Sequence, residues 1–286
     1  MSGPRPLISA AELIERLDGA DRPALLDVRW ELTLAPPAQR DQYEQGHIPG
    51  AAFVDLDREL SAPPGQGGRH PLPSRADFAA AMRRAGVWND RPVVVYDAAN
   101  SLPASRAWWL LRHYGHPDVR VLNGGLAAWA AAGGPPVSGS ETPPPGDFSG
   151  EPGTMAVLDA GGAAGLARAG VLLDARAPER YRGDVEPMDS VAGHIPGARN
   201  LPMSAQLQPT GRFRNPGELR EGFALAGATG EIEVGAYCGS GITAAHTVLA
   251  LELAGLRGAL YPGSWSEWVT DPQRPVATGD EPPGGR

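Results

Sequence analysis

The stretch AYCGSGITAAH, residues 236–246, holds the only cysteine of the chain. Cys238 follows a short apolar run, EVGAY, and precedes a helical pattern that starts near Thr243. In sheets covered by helices, reactive groups gather beyond the C-terminal ends of strands, near the N-terminus of the next helix. Gly239 and Gly241 permit positive φ, so successive N–H groups of CGSGIT can turn toward one point. The helix dipole adds partial positive charge there, and Ser240 and Thr243 offer hydroxyl donors. An anionic sulfur is stabilised in such a cradle. Burial as a small core residue is the commoner fate of a free cysteine, but polar and glycine neighbours at a strand end point to a reactive thiol. Spacing excludes two other chemistries. A cysteine phosphatase clamps phosphate with an arginine six residues after its cysteine, and position 244 is Ala. A serine-hydrolase elbow, G-x-S-x-G, needs glycine at 238 and 242, which hold Cys and Ile.

The elements that must carry this loop can be read from pattern. The length of 286 residues suits one large domain or two of ordinary size, and 42% hydrophobic residues can build real cores. Lys and Arg number 25 against 33 Asp and Glu, a formal net charge of −8. With no long basic run, this composition speaks against nucleic acid or an anionic membrane surface as partner. One cysteine makes no internal disulfide, so a cytoplasmic location is expected. The opening MSGPRPLISAAELIERL lacks the apolar run of a signal peptide, and no stretch approaches the ~18 apolar residues of a membrane span.

The chain is written twice. LLDVRW at 25–30 recurs as LLDARA at 172–177, and GHIPGA at 46–51 recurs at 193–198, both displaced by 147 residues. Two matches at one displacement mean a duplicated domain. VVVYDAANS (93–101) then aligns with VGAYCGSGI (234–242), which puts Asp97 in the place of Cys238; NGGLAAW (123–129) matches PGSWSEW (262–268) more weakly. GGPPVSGSETPPPGDFSGEPGT, dense in Pro, Gly and Ser, reads as a linker, and ATGDEPPGGR as a frayed tail. The expected boundaries are a first domain over 1–135, a linker over 136–154 and a second domain over 155–286. Ser9 and Glu12 suggest a capping box; Ser74 and Asp77 start another helix, and Gly86 stops it. Apolar strands (24–28, 92–97, 119–122) alternate with helices, one over about 102–113, and the second copy repeats the order. The fold class is α/β: two domains, each a mostly parallel sheet with helices on both faces.

HIPGA in both halves, Asp for Cys in the first copy, the CGSGITA loop and YPGSWSEW near the end together resemble the tandem-domain rhodanese family of sulfurtransferases. The resemblance covers nearly the whole chain. It implies two rhodanese-like domains, the first inactive and the second catalytic. It also implies an enzyme in which Cys238 takes sulfane sulfur as a persulfide and passes it to a thiol, cyanide or a thioredoxin-like acceptor, in two steps with ping-pong kinetics and with no metal or organic cofactor. Gly239, Gly241, Ile242 and Thr243 then surround the donor. Family members that prefer thiosulfate carry basic residues after the cysteine; Gly-Ser-Gly is instead similar to the 3-mercaptopyruvate enzymes. In those, a serine two residues on joins an Asp and a His from the first domain, and the matching positions are Ser240, Asp57 and His70. Arg180 matches the arginine expected for a substrate carboxylate. A second arginine is expected a little later, where this chain has Met188, so thiosulfate and 3-mercaptopyruvate both stay open as donors.

Other candidates read as structural. His47 and His194 occupy equivalent places in both copies, one of which lacks the cysteine, so they tie loops to backbone. His113 and His116 form an H-x-x-H with no further ligands nearby, a poor metal site. His246 falls on the helix after the loop. Trp108, Trp109, Trp129, Trp265 and Trp268 fill cores, Trp30 follows the first-copy strand, and Arg29 and Arg176 pair with acidic neighbours. The rival from another class is a non-catalytic persulfide carrier or binding module for a protein partner, which would halt after one equivalent of sulfur.

Overall fold

The runs ALLD, VVVY and VRVL are buried almost along their whole length, which a strand tolerates only inside a sheet covered on both faces. In the computed structural model, which describes residues 5–19, 21–32 and 36–280, they form the centre of the first of two parallel sheets. This sheet runs β1 (Leu7–Ile8), β5 (Val119–Leu122), β4 (Val93–Tyr96), β2 (Ala24–Asp27) and β3 (Ala51–Phe53). Around it lie α1 (Ala10–Asp18), α2 (Pro36–Gln45), α3 (Leu56–Glu59), α4 (Arg75–Arg84), α5 (Leu102–His113) and α6 (Gly125–Ala131). The second sheet has the order β7 (Arg199–Asn200), β6 (Val171–Asp174), β8 (Val234–Tyr237) and β9 (Ala259–Leu260). Its helices are α7 (Ala160–Ala169), α8 (Pro178–Arg182), α9 (Pro216–Leu225), α10 (Ile242–Leu253) and α11 (Ser264–Trp268), with a 3₁₀ turn at Met203–Gln206. Val157 bridges Leu260 in parallel, as β1 pairs with β5 in the first sheet.

The duplication is legible atom by atom. In the first unit, Arg29 closes on buried Asp27 (2.6 and 2.9 Å) and gives Nη2 to the carbonyl of Gly46 at 2.8 Å. In the second, Arg176 closes on Asp174 (2.6 and 3.0 Å) and gives Nη2 to Gly193 at 2.8 Å. His47 stacks on Tyr43 at 4.1 Å and sets Nδ1 3.0 Å from its carbonyl. His194 stacks on Tyr181 at 3.8 Å, with Nδ1 2.8 Å from that carbonyl. Their own amides then donate to Val137 and Ala277. The histidines thus tie loops to backbone in both copies. All five tryptophans read as core are buried.

Two local expectations change. Ser9 caps α1 by accepting from the Glu12 amide at 3.2 Å, but Glu12 does not close the box; its carboxylate faces Arg120 at 3.0 Å and Arg16 at 3.5 Å, where a cation outcompetes a neutral amide. The full capping box stands at α9 instead, between Asn215 and Glu218. Ser74 caps α4, which ends before Gly86 at φ 79.

The stretch 136–154 is not a loose spacer. Val137 exchanges both main-chain hydrogen bonds with His47, Asp147 accepts from the Asn89 amide at 2.9 Å, and Phe148 is buried edge-on to Phe78. A Cβ at Gly146 would fall 1.8 Å from the Val87 carbonyl oxygen; its glycine serves close packing, not freedom. The compact units are Met1–Ala62 with Leu72–Met155 and Gln208–Phe213, and Pro63–Pro71 with Ala156–Leu207 and Arg214–Arg286. They differ from the contiguous domains expected over 1–135 and 155–286 because each includes a short piece from the other half of the sequence. Of the tail expected to fray, Ala277 is paired with His194, and 281–286 lie outside the described residues. Among the described residues, no helix is long and apolar enough to cross a membrane, and no group of three or more His, Cys, Asp or Glu could hold a metal ion.

Candidate active site

β8 pairs with β6 up to Asp174 and Tyr237, and the chain leaves the sheet at Cys238. Four residues later α10 begins, largely apolar and buried along most of its length, so its N-terminus is rigidly placed. Gly241, at φ 82, is its N-cap, and the Gly241 amide donates to Sγ of Cys238 at 3.1 Å. A Cβ at Gly241 would stand 2.3 Å from the Pro262 carbonyl oxygen, so the residue must be glycine for both reasons. Behind the loop, Ser264 accepts from the Cys238 amide at 3.1 Å and donates to Tyr261 at 2.9 Å. These bonds hold Ser264 at φ 54, a strained value for a residue with a side chain. The amides of Trp265 and Ser266 donate to the carbonyls of Cys238 and Gly239 at 3.0 and 2.9 Å. With these two carbonyls tied back, they are turned away from an anion in the loop.

The first unit holds the same cradle with its anion built in. Asp97 follows Tyr96 as Cys238 follows Tyr237. Its Oδ1 accepts from the amides of Ala99 and Ser101 at 3.0 and 3.1 Å, and Oδ2 from Ala104 at 3.2 Å. Burial pushes this carboxyl up to about 6, against the pull of the three amides. Ser101, the N-cap of α5, has φ 62, as Gly241, the N-cap of α10, has φ 82. A carboxylate here cannot carry sulfur as a thiolate does, so the first copy has the electrostatics without the nucleophile.

Ser240, next but one to the nucleophile, is buried, and its Oγ lies 2.8 Å from Nδ1 of His70. His70 belongs to the Pro63–Pro71 piece of the second unit, so the resemblance brought together a pair that spacing alone did not. Asp57 is in the first unit, where its carboxylate accepts from Nε1 of Trp30 at 3.0 and 3.1 Å. Arg180 sits beside the loop: a Cβ at Gly239 would lie 3.5 Å from its Nη1. Glu186 holds Arg180 at 2.6 Å, with Asp189 at 3.5 Å. Burial raises Glu186, but the Arg180 guanidinium and the amides of Met188 and Asp189 hold it below its ordinary value. Asp189 is pushed up by burial despite Arg69. Ile242 is buried and Thr243 half-buried at the start of α10.

Sequence reasoning missed Arg69 and the Glu186–Asp189 pair. Arg69 pairs with Asp189, and its Nη2 approaches Gly239 more closely than does Arg180; the signal was its adjacency to His70 in GRHPLP. His113 and His116 face the carbonyls of Met155 and Trp88 at 3.4 and 2.9 Å, and burial lowers both. His246 is buried with Nδ1 3.2 Å from Gln206 Oε1.

The family model of the rhodanese-like domain matches twice, over residues 9–132 and 159–271. A Pseudomonas aeruginosa protein named "Probable 3-mercaptopyruvate sulfurtransferase" is 48% identical, with 96% of this chain and 98% of that protein covered. The human 3-mercaptopyruvate sulfurtransferase is 36% identical over 92% of each. Among solved structures, the crystal structure of SseA from Escherichia coli, described with the rhodanese fold of 3-mercaptopyruvate sulfotransferases, superposes with a TM-score of 0.78 at 33% identity. It covers 91% of this chain and 99% of its own.

Proposed function

We propose that this chain, which belongs to the rhodanese family and is a sulfurtransferase, draws its sulfur from 3-mercaptopyruvate. The Cys238 thiolate attacks the donor's sulfur; an S–S bond forms and the C–S bond breaks. The electron pair of that bond stays on carbon as the pyruvate enolate, and the donor's thiol proton must reach that carbon to give pyruvate. Cys238 is left as Cys–S–S⁻, held by loop amides of the kind that hold Asp97. An acceptor thiol then takes the terminal sulfur as a persulfide, or cyanide takes it as thiocyanate, and the Cys238 thiolate returns.

The observation that carries the choice of donor is the 2.8 Å contact between His70 Nδ1 and Ser240 Oγ beside the nucleophile. An enolate leaving group needs a proton delivered to it, and a serine–histidine pair is a means of moving one. Thiosulfate releases sulfite, which departs as a stable anion and needs no such relay. Arg180, a planar fork beside Gly239, suits the donor's carboxylate. By resemblance, Asp57 is a further member of the relay. A thiol acceptor in the cytoplasm, small or carried on a thioredoxin-like protein, fits a chain with one cysteine to modify.

The test is a steady-state comparison of 3-mercaptopyruvate and thiosulfate with a common thiol acceptor. The reading expects a higher kcat/KM for 3-mercaptopyruvate, a mass gain of one sulfur atom on Cys238 after donor alone, and no turnover in Cys238→Ser. An equal or higher kcat/KM with thiosulfate would sink it.

A further inference from the structure

Two guanidinium groups stand over the residue that follows the nucleophile. A Cβ built at Gly239 would lie 2.8 Å from Nη2 of Arg69 and 3.5 Å from Nη1 of Arg180. Each arginine is anchored to a carboxylate through a different nitrogen. Arg180 gives Nε and Nη2 to Glu186 at 3.3 and 2.6 Å. Arg69 gives Nη1 to Asp189, and its buried Nε has no hydrogen-bond partner among the described residues. The nitrogen of each that comes closest to Gly239 is thus not the one the carboxylates take.

The backbone presenting Arg69 is fastened to α11. Its amide donates to Ser266 Oγ at 3.1 Å. The preceding Gly68, at φ 92, approaches so closely that a Cβ would stand 2.6 Å from Ser266 Oγ and 2.8 Å from the Gly263 carbonyl oxygen. The Arg69 side chain keeps 24% of its surface open, enough for a small anion to reach it. Met188, where a second arginine was expected, is 41% exposed and brings only its main-chain amide to Glu186, at 3.0 Å.

We infer that Arg69 is the second cation of the donor subsite and binds the carboxylate of the donor jointly with Arg180, so that a residue outside the second copy's own sequence sets donor specificity. The inference rests on the reading of 3-mercaptopyruvate as donor. A carboxylate met by two guanidiniums gains charge-assisted hydrogen bonds in the ground state and in the transition state alike, so the effect belongs in KM.

Arg69→Met and Arg69→Lys are compared with wild type using 3-mercaptopyruvate, with pyruvate as a competitive probe. Arg69→Met should raise KM and the pyruvate inhibition constant by about 10- to 100-fold, the worth of a charged hydrogen bond. Its kcat should stay within about threefold, and Arg69→Lys should recover part of the loss. A fall in kcat at unchanged KM would make Arg69 only a support for His70 and overturn the inference. So would unchanged kinetics in both variants, or a KM loss that lysine does not reduce at all. Failure of the wild type to use 3-mercaptopyruvate is a different result: it removes the donor reading, and this inference with it.

Discussion

Gly241 donates its amide to the sulfur of Cys238 across 3.1 Å, from a backbone conformation closed to other residues by the Pro262 carbonyl. The left-handed conformation alone costs a side chain about 1–2 kcal/mol, and the 2.3 Å approach forces the loop to move as well. Gly241→Ala is therefore expected to lose at least about tenfold in kcat with a smaller drop in thermal midpoint. Turnover at the wild-type level in a folded variant would show that this amide does not stabilise the sulfur.

Ser240→Ala removes the hydroxyl facing His70. With 3-mercaptopyruvate, kcat should fall by about 100-fold, the usual scale for loss of a proton-transfer group. With thiosulfate it should change by no more than a few-fold. Equal losses with both donors, measured side by side, would mean that the hydroxyl serves the cysteine and not the leaving group.

Asp97 gives the protein a pH-dependent weakness that involves no catalysis. Its carboxyl ionises near 6 in the folded chain and near 3.8 by its ordinary value. The unfolded state releases this proton first, so the favourable contribution is complete below about pH 4 and is lost as pH rises through about 6. Asp97→Asn carries no such titration. Chemical denaturation at pH 4.5 and pH 7 should find wild type losing stability relative to the variant by an amount on the order of 2 kcal/mol. A constant gap between the two proteins would refute the assignment.

Arg176 neutralises Asp174, which is fully buried, and its guanidinium also lies 4.9 Å above the Trp265 ring. Arg176→Met strands that carboxylate and should cost about 3–5 kcal/mol in urea unfolding. The paired replacement of Asp174 and Arg176 by Asn and Met should cost less than the single change, because no unpaired charge remains.

Legibility in the sequence followed the range of the interactions. The strand runs, the helix over 102–113 and the duplication were plain because each rests on local pattern or on a repeated string. Cys238 was legible for the same reason: strand end, glycines and helix start are consecutive. Arg69 was not, since nothing local ties GRHPLP to a loop about 170 residues on, and only the fold brings its guanidinium to Gly239. The stretch 136–154 misled because proline and glycine have two uses, flexible spacing and close packing, and Gly146 against Val87 is the second. Glu12 misled because a capping box and an ion pair compete for one carboxylate, and Arg120 is distant in sequence.

The piece Pro63–Pro71 is encoded in the first copy and counted with the second unit. The halves of the duplication have therefore ceased to be spare parts for one another. A gene trimmed to start at Ala156 would still encode the nucleophile, but would have discarded His70 and Arg69. If His70 and Arg69 serve the donor as proposed, natural selection has a reason to retain a copy that has no cysteine of its own.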